Sequence, residues 1–260
     1  MRLSVESIGF AAPGLVGWPM ARECLAGNTA YRPEPLPKLS PEGLPANERR
    51  RLSTTMRLAL AVAGEAQAGA PQSARQTATV FASGNGDGDI INAICEELAR
   101  PDPAVSPTQF HNSVHNAPAG YWSIAARAMT PHTAVAAHDA TFAAGLLEAA
   151  TMTTDGMPVL LVAYDRPLPV PLNKTRPGHG EFACALLLNR QTEATPSGLS
   201  LRIESGDEET TVADPLLEEL RRGNPAARAL PLLAALAGGG VGTEINLPYV
   251  DGKRLVVSGL

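Results

Sequence analysis

Short apolar segments alternate with helix-forming segments along much of this sequence. An apolar run over residues 77–82 ends in Ser-Gly-Asn-Gly and leads into a helical pattern over residues 90–98. A second helical pattern over residues 140–152 precedes another apolar run at residues 159–163. Strands that alternate with helices at this spacing are typical of layered proteins. The sequence therefore predicts an α/β fold.

Further periodic segments complete the predicted order of elements. A basic cluster over residues 49–57 opens a helical pattern that continues to about residue 68, and we expect one long helix there. The remaining predictions are a first strand over residues 3–8, a helix over 18–25, a short buried strand over 133–137, hairpin-capable strands over 181–188 and 199–203, a helical region over 214–240 and a final strand over 255–257.

The charge and the cysteine content exclude several function classes. The chain carries 21 Lys and Arg against 26 Asp and Glu, so the basic excess that drives nucleic-acid binding is missing. Its three cysteines are widely separated, which indicates reduced thiols rather than a disulfide framework or a zinc site. No apolar run reaches the roughly 18 residues of a membrane span, and the first residues lack the apolar core of a signal peptide. We expect a cytoplasmic protein.

The glycine-rich turn after residue 82 matches no ligand-binding fingerprint. The pattern over residues 84–88 is GxGxG, but a dinucleotide fingerprint needs glycine or alanine where Asp89 stands. A calcium loop needs glycine where Ile90 stands. The segment is therefore predicted to be a strand-to-helix turn in which an aspartate caps the helix.

Two histidines four residues apart, His111 and His115, could share one helix face as metal ligands. Further ligands would have to come from His132, His138 or His179. The polar residues between and after the first pair instead indicate a hydrogen-bonded loop or interface. We therefore expect no metal site and no cofactor.

Three segments carry a resemblance to a known family. Residues 112–124 read Asn-Ser-Val-His-Asn-Ala-Pro-Ala-Gly-Tyr-Trp-Ser-Ile, residues 131–149 read Pro-His-Thr-Ala-Val-Ala-Ala-His-Asp-Ala-Thr-Phe-Ala-Ala-Gly-Leu-Leu-Glu-Ala, and residues 177–188 read Pro-Gly-His-Gly-Glu-Phe-Ala-Cys-Ala-Leu-Leu-Leu. In this order they resemble the first half of a β-ketoacyl synthase of the thiolase fold. The resemblance implies a thiolase-like α-β-α layered fold with a truncated second half. Residues 1–206 would form the ketosynthase-like N-terminal domain, and residues 207–260 a short C-terminal extension that completes the same domain.

In β-ketoacyl synthases a nucleophilic cysteine stands at the N-terminus of a buried helix, and the resemblance places Asp139 at that position. The helix dipole would stabilise a carboxylate there, but a carboxylate forms a mixed anhydride and does not replace cysteine in condensation. Asp139 can be a structural N-cap or a catalytic acid or base. Cys184 is expected to lie buried inside a strand. The two catalytic histidines of the family's second half have no counterpart after His179.

The missing nucleophile indicates a non-catalytic subunit. The sequence resembles chain length factors of type II polyketide systems and, in its Asn-Ser-Val-His-Asn segment, the short synthase-like proteins of bacterial aryl polyene clusters. The resemblance implies a heterodimer with a full-length ketosynthase that lengthens a polyene or polyketide chain on an acyl carrier protein, in chemistry related to fatty acid biosynthesis. The subunit would stabilise its partner and close the far end of the acyl tunnel. In isolation it can form a homodimer.

Aromatic and amide side chains are concentrated in the segment that, by the resemblance, lies beside the two-fold axis of thiolase-fold dimers. Aromatic residues are enriched at interface centres, but Phe110 and Trp122 can equally belong to the core. Two alternatives to a non-catalytic subunit remain open. The chain can be a stand-alone thioester hydrolase or decarboxylase that uses Asp139 with His111 or His138, or a plain module that binds an acyl group or a carrier protein. The predicted interface or tunnel residues are Phe110, His111, His115, Asn116, Trp122, His138 and Phe142.

Overall fold

A computed structural model describes residues 1–153, 156–191, 198–240 and 242–259 of the chain. The strands in these ranges are β1 Arg2–Ala12, β2 Leu15–Val16, β3 Ala78–Ala82, β4 His132–Val135, β5 Val159–Asp165, β6 Phe182–Arg190, β7 Leu199–Ser205, β8 Ile245–Pro248 and β9 Lys253–Ser258. The helices are α1 Trp18–Leu25, α2 Ala46–Arg51, α3 Thr54–Ala68, α4 Gly88–Leu98, α5 Pro107–Asn112, α6 Ala117–Ala126, α7 Thr141–Met152, α8 Pro215–Gly223 and α9 Leu230–Gly238. None of the described helices is long and apolar enough to cross a membrane.

One sheet combines a parallel and an antiparallel part. Its strand order is β4-β3-β5-β6-β1-β7-β9-β8, and the short β2 pairs with β1 outside this path. The strands β4, β3 and β5 run parallel, whereas the other pairs are antiparallel. Every residue of β3 and β5 is buried, as expected for parallel strands that are covered on both faces. The carboxyl ends of the three parallel strands lie along one edge of the sheet.

Helices cover both faces of this sheet. Successive residues of β5 alternate between the faces, so Leu161 shares a core cluster with Phe142 of α7, whereas Leu160 shares the other cluster with Leu60 of α3. Residues of α1 and α9 join the first cluster, and residues of α6 join the second. This α-β-α arrangement confirms the predicted fold class.

Two predicted elements differ from the structure. The long helix expected after the basic cluster is two helices, α2 and α3, because Leu52 is extended and the Ser53 hydroxyl accepts a hydrogen bond from the Met56 N–H to begin α3. The strand expected to be buried over residues 133–137 is β4, and its residues are all at least partly exposed. The reason is topological, since β4 lies at the end of the sheet with β3 as its one strand neighbour in the described chain.

The later strands extend the same sheet. The segments predicted as hairpin-capable, β6 and β7, lie on either side of β1 instead of pairing with each other. β9 pairs with β7, and β8, which the sequence analysis missed, pairs with β9. Because α9 contacts α1 in the first core cluster, residues after 206 contribute to both the sheet and the core.

Candidate functional site

The loops that follow β3, β4 and β5 form the candidate site at the carboxyl edge of the parallel strands. Asp165, which is fully buried, ends β5. Its carboxylate accepts hydrogen bonds from Ser83 Oγ at 2.8 Å, Gly84 N at 3.1 Å and Asn85 N at 2.7 Å. Burial raises the pKa of this carboxyl to about 6, against the opposing effect of these donors. One carboxylate therefore fixes the glycine-rich loop after β3.

The same loop begins α4 through Asp87. The Asp87 carboxylate accepts a hydrogen bond from Ile90 N at 3.3 Å and caps the helix, which confirms the strand-to-helix turn predicted here. Ser53 Oγ donates to the other oxygen of Asp87 and accepts from Met56 N at 3.1 Å. Burial raises the pKa of Asp87. The first turns of α3 and α4 are therefore tied together beside the carboxyl edge.

A cavity of about 210 Å³ opens at this edge. The loop over residues 84–87, the turn between α5 and α6, the first turn of α3 and Tyr164 of β5 line it. The apolar rim residues Ile91 and Val114 are 39% and 50% exposed. The cavity therefore opens onto a partly apolar surface.

Two side chains hold the turn between α5 and α6 in place. Asn112 is buried, and its amide donates to Arg51 O at 2.9 Å and accepts from the Tyr121 hydroxyl at 3.0 Å. His115 Nε2 lies 3.3 Å from Val135 O at the end of β4. Because a carbonyl can only accept, Nε2 carries the proton of this hydrogen bond. The turn is thus fastened to both α2 and β4.

Asp139 lies in the short turn before α7, where it forms ion pairs. Its Oδ1 is 2.7 Å from Arg176 Nη2, and its Oδ2 is 3.9 Å from Arg228 Nη2. The predicted N-cap role is wrong, because α7 begins two residues later and the carboxylate is directed to the arginines. The Thr141 hydroxyl accepts from Ala137 N at 3.0 Å and holds the turn instead.

The first turn of α7 is where a nucleophile would feel the helix dipole. The helix begins with Thr141 and Phe142, and Phe142 is fully buried in the first core cluster. Residues 138–143 are His-Asp-Ala-Thr-Phe-Ala, so neither the turn nor the start of the helix offers a thiol. Cys184 is buried inside β6, as predicted, and burial raises its pKa. A thiolate is therefore not available at this helix terminus.

The predicted interface residues fall into an exposed and a buried group. Phe110 is 67% exposed, so the core interpretation is wrong for this residue. Trp122 is 7% exposed within the second core cluster, so the core interpretation is right for it. Asn116 and His138 are exposed, and His115 is half-buried. The exposed members lie on α5, in the turn between α5 and α6 and in the turn after β4.

The histidines make separate contacts. His111 packs edge-on against Tyr121, with 6.4 Å between the ring centroids, whereas His115 bonds to the β4 backbone. Within the ranges that the structure describes, no three His, Cys, Asp or Glu side chains are grouped as metal ligands.

Several residues of the site escaped the sequence analysis. The predicted strand stopped at residue 163, although a carboxylate directly after an apolar strand was a usable signal for Asp165. Arg176 had no such signal, because it reaches Asp139 across 37 residues of sequence. Contacts between residues so far apart in the sequence follow from the fold and not from a local pattern.

The three layers, the mixed sheet and the turn that leads from β4 into the buried α7 define a thiolase-like protein. A model of the β-ketoacyl synthase N-terminal domain matches residues 25–237, and the chain belongs to this family. No curated protein sequence matches the chain.

Solved structures of ketosynthase complexes share this fold. A structure of the ketosynthase ApeO in complex with its chain length factor ApeC from Xenorhabdus doucetiae contains a similar chain, with a TM-score of 0.77 and 26% identity over 99% of both chains. A chain of the ishigamide ketosynthase/chain length factor aligns with a TM-score of 0.75 and 14% identity over 99% of this chain and 98% of that chain. A β-ketoacyl synthase from Burkholderia phymatum aligns with a TM-score of 0.60 and 15% identity over 92% of this chain and 70% of its own. The last two similarities show the fold alone.

Proposed function

We propose that this chain is the non-catalytic chain length factor subunit of a heterodimer with a full-length β-ketoacyl synthase. The observation that carries the proposal is the first turn of α7, where Phe142 is buried and no thiol is present. The 26% identity over 99% of both chains with a chain from a ketosynthase and chain length factor complex supports it. Asp139, the alternative catalytic group, is held by Arg176 as a counter-ion.

The open edge of β4 offers a surface for such a partner. Pro131 O and Val135 O accept hydrogen bonds from Thr79 N and Ser83 N on the β3 side. Successive residues of a strand direct their N–H and C=O groups to opposite sides, so those of Ala134 point away from β3. An unpaired strand edge is a template for a strand of another chain. We infer that the synthase docks on this edge.

Exposed apolar side chains come from the segments that precede β4 in the chain. Ile124 of α6 is 49% exposed and Met129, just before β4, is 99% exposed. Phe110 of α5 and Val114, which follows α5, are 67% and 50% exposed. Apolar residues in such numbers around an open strand edge favour a protein interface over a solvated face.

The subunit's role would be steric. The cavity at the carboxyl edge lies beside this surface and can receive the far end of a polyene or polyketide chain from the partner's tunnel, so its depth would limit chain length. The growing chain would be delivered in the cytoplasm on an acyl carrier protein that contacts the complex. The chain itself would supply residues 1–206 as the ketosynthase-like part, completed by residues 207–260.

Replacing Phe110 by glutamate is expected to abolish co-purification with the co-expressed synthase. A charge in the centre of an apolar interface remains desolvated and unpaired, whereas Phe110 is 67% exposed in the isolated chain, so its melting temperature should change by no more than about 2 °C. Ile203→Glu is the matched control, since Ile203 is 52% exposed on β7, four strands away from β3 in the sheet order. If both variants lose pairing with the synthase equally, or if neither loses it, the proposed surface is contradicted.

The isolated chain is expected to form no acyl-enzyme with a malonyl or acyl thioester, because the start of α7 lacks a thiol. Intact-protein mass spectrometry measures the adduct. Cys95 is exposed, so Cys95→Ser provides the background for this measurement. An adduct that survives Cys184→Ala and disappears in Asp139→Ala would show a catalytic chain instead.

Restoring a thiol is expected to restore labelling but not condensation. The Asp139 side chain is 48% exposed, so Asp139→Cys in the Cys95→Ser background should react with a thiol reagent. Because the chain has no histidine after His179, groups that stabilise the reacting thioester oxygen are still missing. Condensation by this variant alone would contradict the assignment of catalysis to the partner.

A further inference from the structure

We propose that Arg176 and Arg228 form an anion-binding site at the turn before α7, and that the Asp139 carboxylate occupies this site and excludes anionic ligands from it. The two arginines come from distant segments, the loop after β5 and the turn between α8 and α9. For its biological meaning the inference rests on the proposed function, because a chain that rejects a negatively charged malonyl group leaves that group to the catalytic partner.

The two guanidinium groups converge on one carboxylate. Asp139 Oδ1 accepts a hydrogen bond from Arg176 Nη2 at 2.7 Å, and Asp139 Oδ2 lies 3.9 Å from Arg228 Nη2. The Asp139 side chain is 48% exposed, whereas the Arg176 and Arg228 side chains are 21% and 12% exposed. The arginines are thus largely enclosed, and the carboxylate is the partner that solvent reaches most easily.

The backbone of the turn does not depend on the Asp139 side chain. Thr141 holds this backbone, since its hydroxyl accepts from Ala137 N at 3.0 Å and donates to His138 O at 2.6 Å. Among the described residues, the Asp139 carboxylate contacts the two arginines and the His138 ring, whose Nδ1 lies 3.6 Å from Oδ2. We infer that Asp139 neutralises the arginines and does not shape the turn.

Arg176 supplies most of the positive charge at the site. Its other hydrogen bond runs from Nη1 to Gly84 O at 3.4 Å, and it has no second ion pair among the described residues. The buried Asp165 attracts it electrostatically from a longer distance. A guanidinium has five N–H donors and pairs well with carboxylates and phosphates. Without Asp139, Arg176 would therefore have donors free for a dissolved anion.

Arg228 makes the smaller contribution. Its Nη1 is paired with Glu209 at 2.6 Å, and its Nη2 donates to Arg222 O at 3.5 Å. These contacts fix the direction of the guanidinium but also neutralise part of its charge. The two arginines together therefore suit a single carboxylate or phosphate group, the place of which Asp139 takes in this chain.

Asp139→Cys in the Cys95→Ser background tests the site, because it places a thiol where the carboxylate stands. Iodoacetate and iodoacetamide alkylate a thiolate by the same displacement, in which the S–C bond forms and iodide leaves. The first reagent is an anion and the second is neutral, so the ratio of their rates reports the local charge and not the reactivity of the thiol. Adding Arg176→Gln is expected to lower the ratio of iodoacetate to iodoacetamide about tenfold at low ionic strength.

Arg22→Gln is the matched control for this experiment. It removes the same charge from an exposed position on α1 and should leave the ratio unchanged. Mass spectrometry of digested protein assigns the adduct to residue 139 and measures both rates. If the two arginine variants change the ratio equally, or if neither changes it, the anion site is overturned.

Asp139→Ala provides a second measurement that needs no thiol and retains the test if Asp139→Cys does not fold. Malonate binding to the purified full chain is measured by ligand-detected NMR titration. Asp139→Ala should bind malonate at least about tenfold more tightly than the unmodified chain, and the added Arg176→Gln should remove this gain. Equal binding by Asp139→Ala and the unmodified chain, or no binding by folded Asp139→Ala, would overturn the inference.

Both measurements use the chain without the synthase. Failed pairing with a synthase and failed anion preference are therefore separate results. The first contradicts the proposed function, and the second contradicts the role of Asp139 as the occupant of an anion site.

Discussion

Replacing Ala134 by proline is expected to abolish assembly with the synthase while the isolated chain stays folded. The Ala134 N–H points away from β3, so proline removes no hydrogen bond of the chain's own sheet. It does remove a donor that a partner strand would need and places a ring in that strand's path. We expect at least about a hundredfold weaker association, as for the loss of a central interface contact.

Thr133→Pro is the control for this experiment. Thr133 aligns with Val80 of β3, and its N–H points toward β3, so proline should break the existing ladder and lower the melting temperature of the isolated chain. Co-purification and thermal unfolding are measured for both variants. Normal assembly of a folded Ala134→Pro variant would exclude docking on the β4 edge.

Replacing Asp165 by alanine is expected to destabilise the chain by about 3 kcal/mol, because several buried donors lose their acceptor. The donors are Ser83 Oγ, Gly84 N and Asn85 N, and Asp165 itself is fully buried. For a chain of this size the change corresponds to a drop in melting temperature of roughly 6 to 12 °C. Denaturant unfolding and calorimetry measure the effect, and a change below about 1 kcal/mol would contradict the anchoring role.

The Asp165→Asn variant isolates the effect of the Asp165 charge on stability, because asparagine does not titrate. The measured quantity is the free energy of unfolding of both chains as a function of pH. Burial raises the pKa of Asp165 from 3.8 to about 6, so between these values the folded chain binds more protons than the unfolded chain. The free energy of unfolding must then fall as pH rises through this window. Relative to Asp165→Asn, the unmodified chain should lose about 2 kcal/mol of unfolding free energy from pH 4 to pH 6. If the difference in unfolding free energy between the two chains does not change with pH, the raised pKa of Asp165 is contradicted.

The sequence predicts local structure well where the spacing of apolar residues and the positions of the helix- and strand-breaking residues indicate the same element. The run over residues 77–82, the glycine-rich turn and the helix after it appear as β3, the Asp165-bound loop and α4. The predicted helix over residues 18–25 is α1. In each case the pattern of apolar residues and the breaker residues lie within one short segment, so no distant contact is needed to choose the structure.

The predictions that failed depend on neighbours far along the chain. The exposure of β4 follows from its position beyond β3 in the strand order, which no local pattern encodes. Asp139 forms an ion pair with Arg176 instead of capping α7, because the fold brings that guanidinium beside it. Phe110 and Trp122 have similar apolar character, yet the first is exposed and the second buried. Composition alone does not separate such cases.

Reconstituted chain elongation distinguishes a non-catalytic subunit from an enzyme that works alone. The chain and its co-expressed synthase are assayed separately and together with malonyl-loaded acyl carrier protein, and the products are measured by mass spectrometry. We expect no elongation by the chain alone, because α7 begins with Thr141 and Phe142 and no thiol. When both subunits are present, we expect products of defined length. Elongation by the chain alone, or products of the synthase that do not change when the chain is added, would contradict the proposed role.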